Sequence, residues 1–275
     1  MAKVLLLHPG EMGSSIASAL LDGDHEVFWV SEGRGNETRE RSEKLGLLDM
    51  TDLVEAVEKS EFVISICPPE YAGTVAEEVI ETGYEGTYVD ANAVSPATSL
   101  AIGDLVGENY VDGGIIGPPA WDIGRTRMYL SGPQAAETAQ LFDGTLLDTL
   151  VIEGGIGAAL ALKMCYAAYT KGSSALLLGV RALANKMGVT DSLLSEWAIS
   201  QQGLDQRSRS VAASTSQKAW RFSGEMQEIA ATYSAAGLPS GFHEAAAELF
   251  ERMKYFKDQD PATIDAVITA ITSSE

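Results

Sequence analysis

Residues 8–13 read His8-Pro9-Gly10-Glu11-Met12-Gly13 and follow directly on the apolar run KVLLL at 3–7. A strand, a tight turn and a helix start, in that order, make an anion-binding device: backbone amides and the helix dipole converge on one point. In the common form G-x-G-x-x-G the first glycine permits the bend. The second lets backbone approach a pyrophosphate, and the third lets helix and strand pack closely. Here Gly10 and Gly13 hold the second and third places, and His8 stands in the first. The expectation is that His8 adopts an ordinary strand-end conformation, that Pro9 fixes the backbone before Gly10, and that the helix begins near Met12. His8 is then either a strand-end filler or a direct contact to the ligand.

The next strand, EVFWV at 26–30, ends beside Ser31, where a dinucleotide site places the residue that reads the adenosine ribose. An acid there would accept from the ribose hydroxyls and favour NAD. This chain has the hydroxyl of Ser31, then Glu32, then Arg34 and later Arg39. Ser31 with Arg34 suits a 2′-phosphate, so NADP is the expected cofactor; Glu32, turned inward, would favour NAD instead.

These residues need a sheet to position them. Strands are expected at 3–7, 26–30, 62–67, 87–91 and 110–116, with two more near 127–131 and 148–153; 51–59 and 70–81 carry apolar residues at helical spacing. Near-continuous apolar strands separated by helices imply a parallel sheet covered on both faces. From Gly157 to about Met187 runs a proline-free stretch of Ala, Leu, Met and aromatics, a helix of about 45 Å. After it, 190–201, 207–236, 239–255 and 260–272 all read as helical. The expected fold is α/β: a Rossmann-type doubly wound sheet over 1–153, then an all-α domain over 154–275, joined by the long interdomain helix.

Composition narrows the function. The chain has 275 residues, 45% of them apolar, enough for one large core or two modest ones. A net charge of −20 argues against nucleic acid or an anionic membrane as partner. No apolar run is long enough to span a bilayer. The first residues pass directly into the strand and turn, so no secretion signal is expected. Cys67 and Cys165 form neither a metal spacing nor a disulfide framework, which fits a reducing cytoplasm.

Four further motifs occur in order: ISICPP at 64–69, VDANAVSP at 89–96, VDGGIIGPPAW at 111–121 and ALKMCYAAYTKG at 161–172. With the glycine turn they resemble the 6-phosphogluconate dehydrogenase-like superfamily of β-hydroxyacid dehydrogenases. The segment 218–250 is similar to a short branch of it with a poorly characterised helical C-terminal domain. The resemblance implies hydride transfer at a nicotinamide, a small-molecule substrate and a homodimer. It implies that Cys67, Pro68 and Pro69 flank the cofactor, that Asn92 sits near the nicotinamide ribose, and that Gly113 to Gly117, with Gly114 and Ile116, form a loop facing the substrate. Lys163 matches the family's catalytic lysine. An amine there would take the hydroxyl proton as hydride leaves, or donate a proton in reduction. Its neighbours Leu160, Leu162, Met164 and Tyr166 read as buried.

The chain also departs from the family pattern. Ala167 stands where an asparagine is common, and Ile116 where a serine is common, so two polar substrate contacts are missing. A less polar or differently oriented substrate is expected. Tyr166, Thr170, Trp121, Tyr233 and His243 are candidates to replace the contacts. Lys218, Arg221, Glu225 and Glu228 form a charged stripe, read as a solvated or interface face or as a substrate contact. The leading reading is a dehydrogenase or reductase acting on a hydroxy acid or related alcohol or carbonyl. Imine reduction and a non-catalytic NADP sensor are the alternatives.

Overall fold

The structure is a computed structural model and is described for residues 1–273. The first part of the chain alternates β1 (Lys3–Leu7), α1 (Glu11–Asp22), β2 (Glu26–Trp29), α2 (Asn36–Leu45), β3 (Leu48–Asp49), α3 (Leu53–Glu58), β4 (Phe62–Ser65) and α4 (Ala72–Glu81). It continues through β5 (Thr87–Asp90), α5 (Pro96–Val106), β6 (Tyr110–Ile116), β7 (Arg127–Ser131), α6 (Ala135–Gln140) and β8 (Asp148–Val151). The long helix α7 (Ala158–Lys186) follows. Then come α8 (Thr190–Ser200), α9 (Leu204–Ser216), α10 (Ala219–Ala235), α11 (Gly241–Glu251) and α12 (Ile264–Thr272). The chain divides into two compact units, Met1–Met164 and Cys165–Glu275, so the division falls inside α7 rather than before it.

The first unit is one eight-stranded sheet in the order β3-β2-β1-β4-β5-β6-β7-β8. All neighbours are parallel except β6 and β7. β1 shows why the sheet is covered on both sides. Val4 and Leu6 pack with Ile16 and Leu20 of α1, whereas Leu5 and Leu7 pack with Val75, Ala76 and Val79 of α4. That is the period-2 alternation of a strand buried twice over. The chain order reverses direction between β1 and β4, and in such sheets ligands bind beyond the carboxyl ends at that point.

Three local expectations change. β3 is an additional strand of two exposed residues, too short and too polar for a periodicity signal. The helical stretch 207–236 is broken at Gln217 and Lys218 into α9 and α10. There, Ser216 Oγ accepts the amide of Ala262 at 3.0 Å and Gln217 Nε2 donates to the carbonyl of Gln259 at 2.6 Å. Gly113 to Ile116 are not loop: antiparallel pairing with β7 holds them in β6, and the turn begins only at Gly117.

The start of α7 is fastened to the sheet by buried polar groups. Ser131 Oγ accepts the amide of Ala159 at 2.9 Å, and Asp112 Oδ2 accepts that of Leu160 at 3.2 Å. The Ser131 hydroxyl donates to Asp112 Oδ1 at 2.5 Å, which joins the two caps. Gly114 makes the approach possible, because a Cβ there would lie 2.6 Å from the carbonyl oxygen of Ala159 and 3.3 Å from Cβ of Lys163. At the far end Gly188, with φ 69°, closes the helix, and Val189 N–H returns to the carbonyl of Ala184 at 2.9 Å.

Asp112→Ala would leave the Leu160 amide and the Ser131 hydroxyl without their buried acceptor. The expected loss is about 3 kcal/mol of stability, read as a lowered urea midpoint by circular dichroism. An unchanged midpoint would mean that the cap does not hold α7.

Candidate active site

The turn after β1 is tighter than an ordinary strand end. His8 has φ 66°, the left-handed conformation that a glycine supplies at no steric cost. The reason lies in Gly13, whose added Cβ would come within 2.7 Å of the His8 carbonyl oxygen: helix and strand end are in contact, and the chain must double back between them. Gly10 N–H bonds that same carbonyl at 2.7 Å. The expectation of an ordinary strand-end conformation at His8 is therefore overturned. Histidine is among the side chains that enter this region more often than most.

Around Gly10 there is room. A Cβ on Gly10 would meet nothing nearer than 4.0 Å, and α1 begins at Glu11 without a side-chain cap. Its first-turn amides are thus available to an anion. Pro9 is held from behind, its carbonyl accepting from Ser14 Oγ at 3.1 Å and Arg41 Nη1 at 3.3 Å. Burial, and next the charge of Arg34, lower the pKa of His8 to about 4, so its imidazole is neutral near pH 7. Its Nδ1 and the Nε of Arg34 are buried and make no hydrogen bond. Together these features fit a phosphate-bearing dinucleotide.

Beyond β2, Ser31 is buried and its amide donates to Asp49 Oδ1 at 3.2 Å. Burial opposes ionisation of Asp49, but bonds from the hydroxyl and amide of Ser31 and the amide of Thr51, with the charge of Arg39, hold its pKa below the ordinary value. Arg39 is occupied with loop backbone, donating to the carbonyls of Ser31 at 2.6 Å and Arg34 at 3.2 Å. Arg34 lies within electrostatic reach of His8, of Glu78 on α4 and of Cys67. Glu32 is exposed.

The ends of β4 and β5 are tied through Asn92. Its Oδ1 accepts the amide of Cys67 at 2.5 Å, and its Nδ2 donates to Ser65 Oγ at 3.1 Å. Its amide bonds Asp90 Oδ1 at 3.0 Å, and its carbonyl accepts Lys163 Nζ at 3.4 Å. Cys67 is no thiolate, since burial pushes its pKa up to about 12. After it, Pro68 and Pro69 lead into a 3₁₀ turn, Pro69–Tyr71, that starts α4. Leu160 and Met164 are buried as expected, but Leu162 and Tyr166 are exposed. They stand half a turn away on the opposite side of α7.

The segment after β6 is stapled to α1. Ser15 Oγ accepts the amide of Ala120 at 2.9 Å and donates to the carbonyl of Met12 at 2.9 Å. Gly117, with φ 135°, is a position where a Cβ would strike the carbonyl of Arg125 at 2.5 Å. Trp121 is exposed. Gly114 lies beneath the first turn of α7, where its lack of a side chain serves helix packing.

In the second unit, Thr170 Oγ1 donates within α7 to the carbonyl of Tyr166 at 3.1 Å. Tyr233 and His243 are brought together, ring centroids 4.2 Å apart, with Phe242 edge-on to the imidazole at 5.2 Å. His243 is buried, its Nδ1 makes no hydrogen bond, and burial lowers its pKa. In the charged stripe, Glu225 pairs with Lys171 at 2.6 Å, both largely shielded, and the lysine lies 5.1 Å from the Phe222 ring centroid. Part of that stripe is therefore interior, not a solvated face.

Sequence reasoning missed Asp49, Arg41, Ser15, Asp90, Asp112 and Ser131 as positioning residues. For Asp90 and Asp112 a signal existed: each is a lone acid at or inside a strand that is otherwise apolar. Asp49 and Arg41 gave none, because their partners are distant in sequence.

The native state keeps His8 neutral down to about pH 4, whereas the unfolded chain protonates it near 6.5. Stability from neutral His8 is complete above pH 6.5 and is lost as pH falls toward 4. In His8→Asn, which tolerates the left-handed backbone, this loss is absent. The stability of the wild type relative to that variant should fall by about 3 kcal/mol between pH 7 and 4 in urea titrations. A constant difference would place the imidazole in contact with solvent.

Comparisons with known proteins bear on the family and the fold. Residues 3–93 match the family described as NADP oxidoreductase, coenzyme F420-dependent, and residues 184–253 match a domain of unknown function, DUF1932. An uncharacterised 28.5 kDa protein of Methanothermus fervidus is 33% identical over 186 residues, covering 67% of this chain and 72% of that protein. A solved conserved protein of unknown function, itself described as structurally similar to 3-hydroxyacid dehydrogenases, superposes with a TM-score of 0.68 at 27% identity, over 92% of this chain and 97% of its own. The 3-hydroxyisobutyrate dehydrogenase of Mycobacterium tuberculosis, solved with L-serine, shares the fold at a TM-score of 0.69 and 16% identity, over 99% and 100% of the two chains. With the Rossmann-type sheet, the glycine turn and the helical second unit in place, the chain belongs to the 6-phosphogluconate dehydrogenase-like superfamily of β-hydroxyacid dehydrogenases, in a branch that carries the DUF1932 domain.

Proposed function

We propose that the protein is an NADP-preferring oxidoreductase that interconverts a hydroxy acid, or a related alcohol, with its carbonyl form, using Lys163 as proton donor and acceptor. The observation that carries this reading is the placement of the Lys163 amine. It is held on the Asn92 carbonyl just beyond the carboxyl end of β5, on the same edge of the sheet as the dinucleotide turn that follows β1. A bound nicotinamide would supply or accept the hydride.

In this reading the amides of Gly10 to Gly13 and the start of α1 bind the pyrophosphate, with His8, Pro9, Glu11 and Met12 shaping the turn. Arg34 meets the 2′-phosphate, and Ser31 supports the loop that presents it. Cys67, Pro68, Pro69 and Asn92 flank the nicotinamide side. As the alcohol C–H bond breaks, the Lys163 amine takes the hydroxyl proton; in the reverse direction its ammonium gives that proton back to the oxygen. Ile116, Gly117 and Trp121 line the substrate side of the first unit.

Ile116 and Ala167, in places where polar residues are common, favour a substrate less polar than a small hydroxy acid. The same two residues favour the alternative of imine reduction, while Lys163 favours the hydroxyl chemistry. A homodimer is supported by the apolar residues that α7 leaves exposed, among them Tyr169, Leu176 and Leu183. Among the described residues no helix is long and apolar enough to cross a membrane.

Fluorescence titration with NADPH and NADH is expected to show tighter binding of NADPH. Arg34→Ala should weaken NADPH about tenfold or more and leave NADH nearly unaffected, as loss of one charge-assisted contact requires. Preference for NADH would overturn the cofactor assignment. A screen of hydroxy acids, ketones and imines with NADPH or NADP should then find turnover that Lys163→Met lowers about 100-fold or more without loss of cofactor binding. Full turnover in that variant would remove Lys163 from the chemistry, and binding without any turnover would favour the sensor.

A further inference from the structure

The first unit buries two carboxylates that the chemistry above does not use, and only one of them, Asp112, is accounted for as a cap of α7. Asp90, at the end of β5, is fully buried. Its Oδ1 accepts the Asn92 amide at 3.0 Å, and its Oδ2 accepts the Tyr110 hydroxyl at 3.3 Å. Tyr110 in turn exchanges a hydrogen bond with Ser99 at 2.9 Å. Two covalent steps beyond the Asn92 amide is the carbonyl that receives Lys163 Nζ.

We infer that Asp90 is the buried counter-charge of Lys163, a positioning residue that sets the Asn92 turn beneath the amine and favours its ammonium form. The inference rests on the reading of Lys163 as the proton shuttle. An asparagine at position 90 could satisfy the Asn92 amide, and the Tyr110 hydroxyl could turn wholly to Ser99. Neither hydrogen bond therefore requires a charge, and a buried charge is costly to keep. What a neutral amide cannot do is balance a nearby ammonium.

The groups around the pair support the assignment. Asp90 is faced by Tyr88 of its own strand, Tyr110 of β6, the thiol of Cys67 after β4, and Lys163 of α7. Of these only Lys163 brings positive charge. Asp112, the other acid near Tyr110, is occupied with Ser131 and the amide of Leu160. Burial raises the pKa of Asp90 to about 6, opposed by the Asn92 bonds, the charge of Lys163 and the Tyr110 hydroxyl. The shuttle's counter-charge therefore changes within the range in which the protein is handled.

The test needs no substrate. The intact protein is reductively methylated with ¹³C-formaldehyde, and the Lys163 signal is assigned by its disappearance in Lys163→Arg. Its chemical shift is then followed from pH 5 to 11 by NMR. The wild type should show an inflection near pH 6 as Asp90 ionises. Asp90→Asn should abolish that inflection and lower the amine's own midpoint by about one unit or more. Tyr110→Phe, which removes one bond to the carboxylate, should move the first inflection upward. Absence of an inflection between pH 5 and 7 in the wild type, or an unchanged amine midpoint in Asp90→Asn, would overturn the inference. If Asp90→Asn does not fold by circular dichroism, the wild-type inflection decides alone. Retained turnover in Lys163→Met would instead overturn the shuttle and leave the titration result standing, so the two failures are distinguishable.

Discussion

The organisation of the site depends on the buried polar knot at Asn92. One asparagine joins the amide of Cys67, the hydroxyl of Ser65 and the carboxylate of Asp90, and offers its carbonyl to Lys163. In a sheet whose strand interiors are apolar, such a knot is favourable only when every member has its partner. That requirement sets the spacing of the β4 and β5 ends and places the α7 amine against them. The adjacent strand ends are therefore positioned by side-chain hydrogen bonds as well as by the sheet ladder.

A second constraint acts on the same lysine from the other direction. The caps from Asp112 and Ser131 fix where α7 starts, and Gly114 lets its first turn lie on β6. Lys163 is one turn further along, so its height above the strand ends follows from helix geometry. The absent side chain at Gly114 thus helps to set where the Lys163 amine stands.

His8 shows how a departure from a common motif is accommodated. The bend that a first glycine would allow is still made, at the cost of a left-handed histidine whose ring is half-buried and neutral near pH 7. Such strain persists only where surrounding contacts over-determine the backbone. Here they are the contact of Gly13 with the His8 carbonyl, and the bonds to Pro9 from α1 and α2.

Much of this molecule is legible in one dimension. The alternation of β1, the apolar runs of β4 to β6, the glycine turn and the span of α7 all follow from short-range pattern, because burial on two faces or along one helix imposes a fixed period. The motifs around Cys67, Asn92 and Lys163 are also local, so the residues could be named before their geometry was known. Tertiary structure alone decided the rest. The two-residue β3 exists because β2 offers it an edge, and the break between α9 and α10 because residues 259–262 hydrogen-bond there. The conformation of His8 answers to Gly13 on the next helix. Asp90 and Asp112 acquire their roles from partners on other elements, far apart in sequence, and hydrogen bonds of that kind leave no period along the chain from which they could be read.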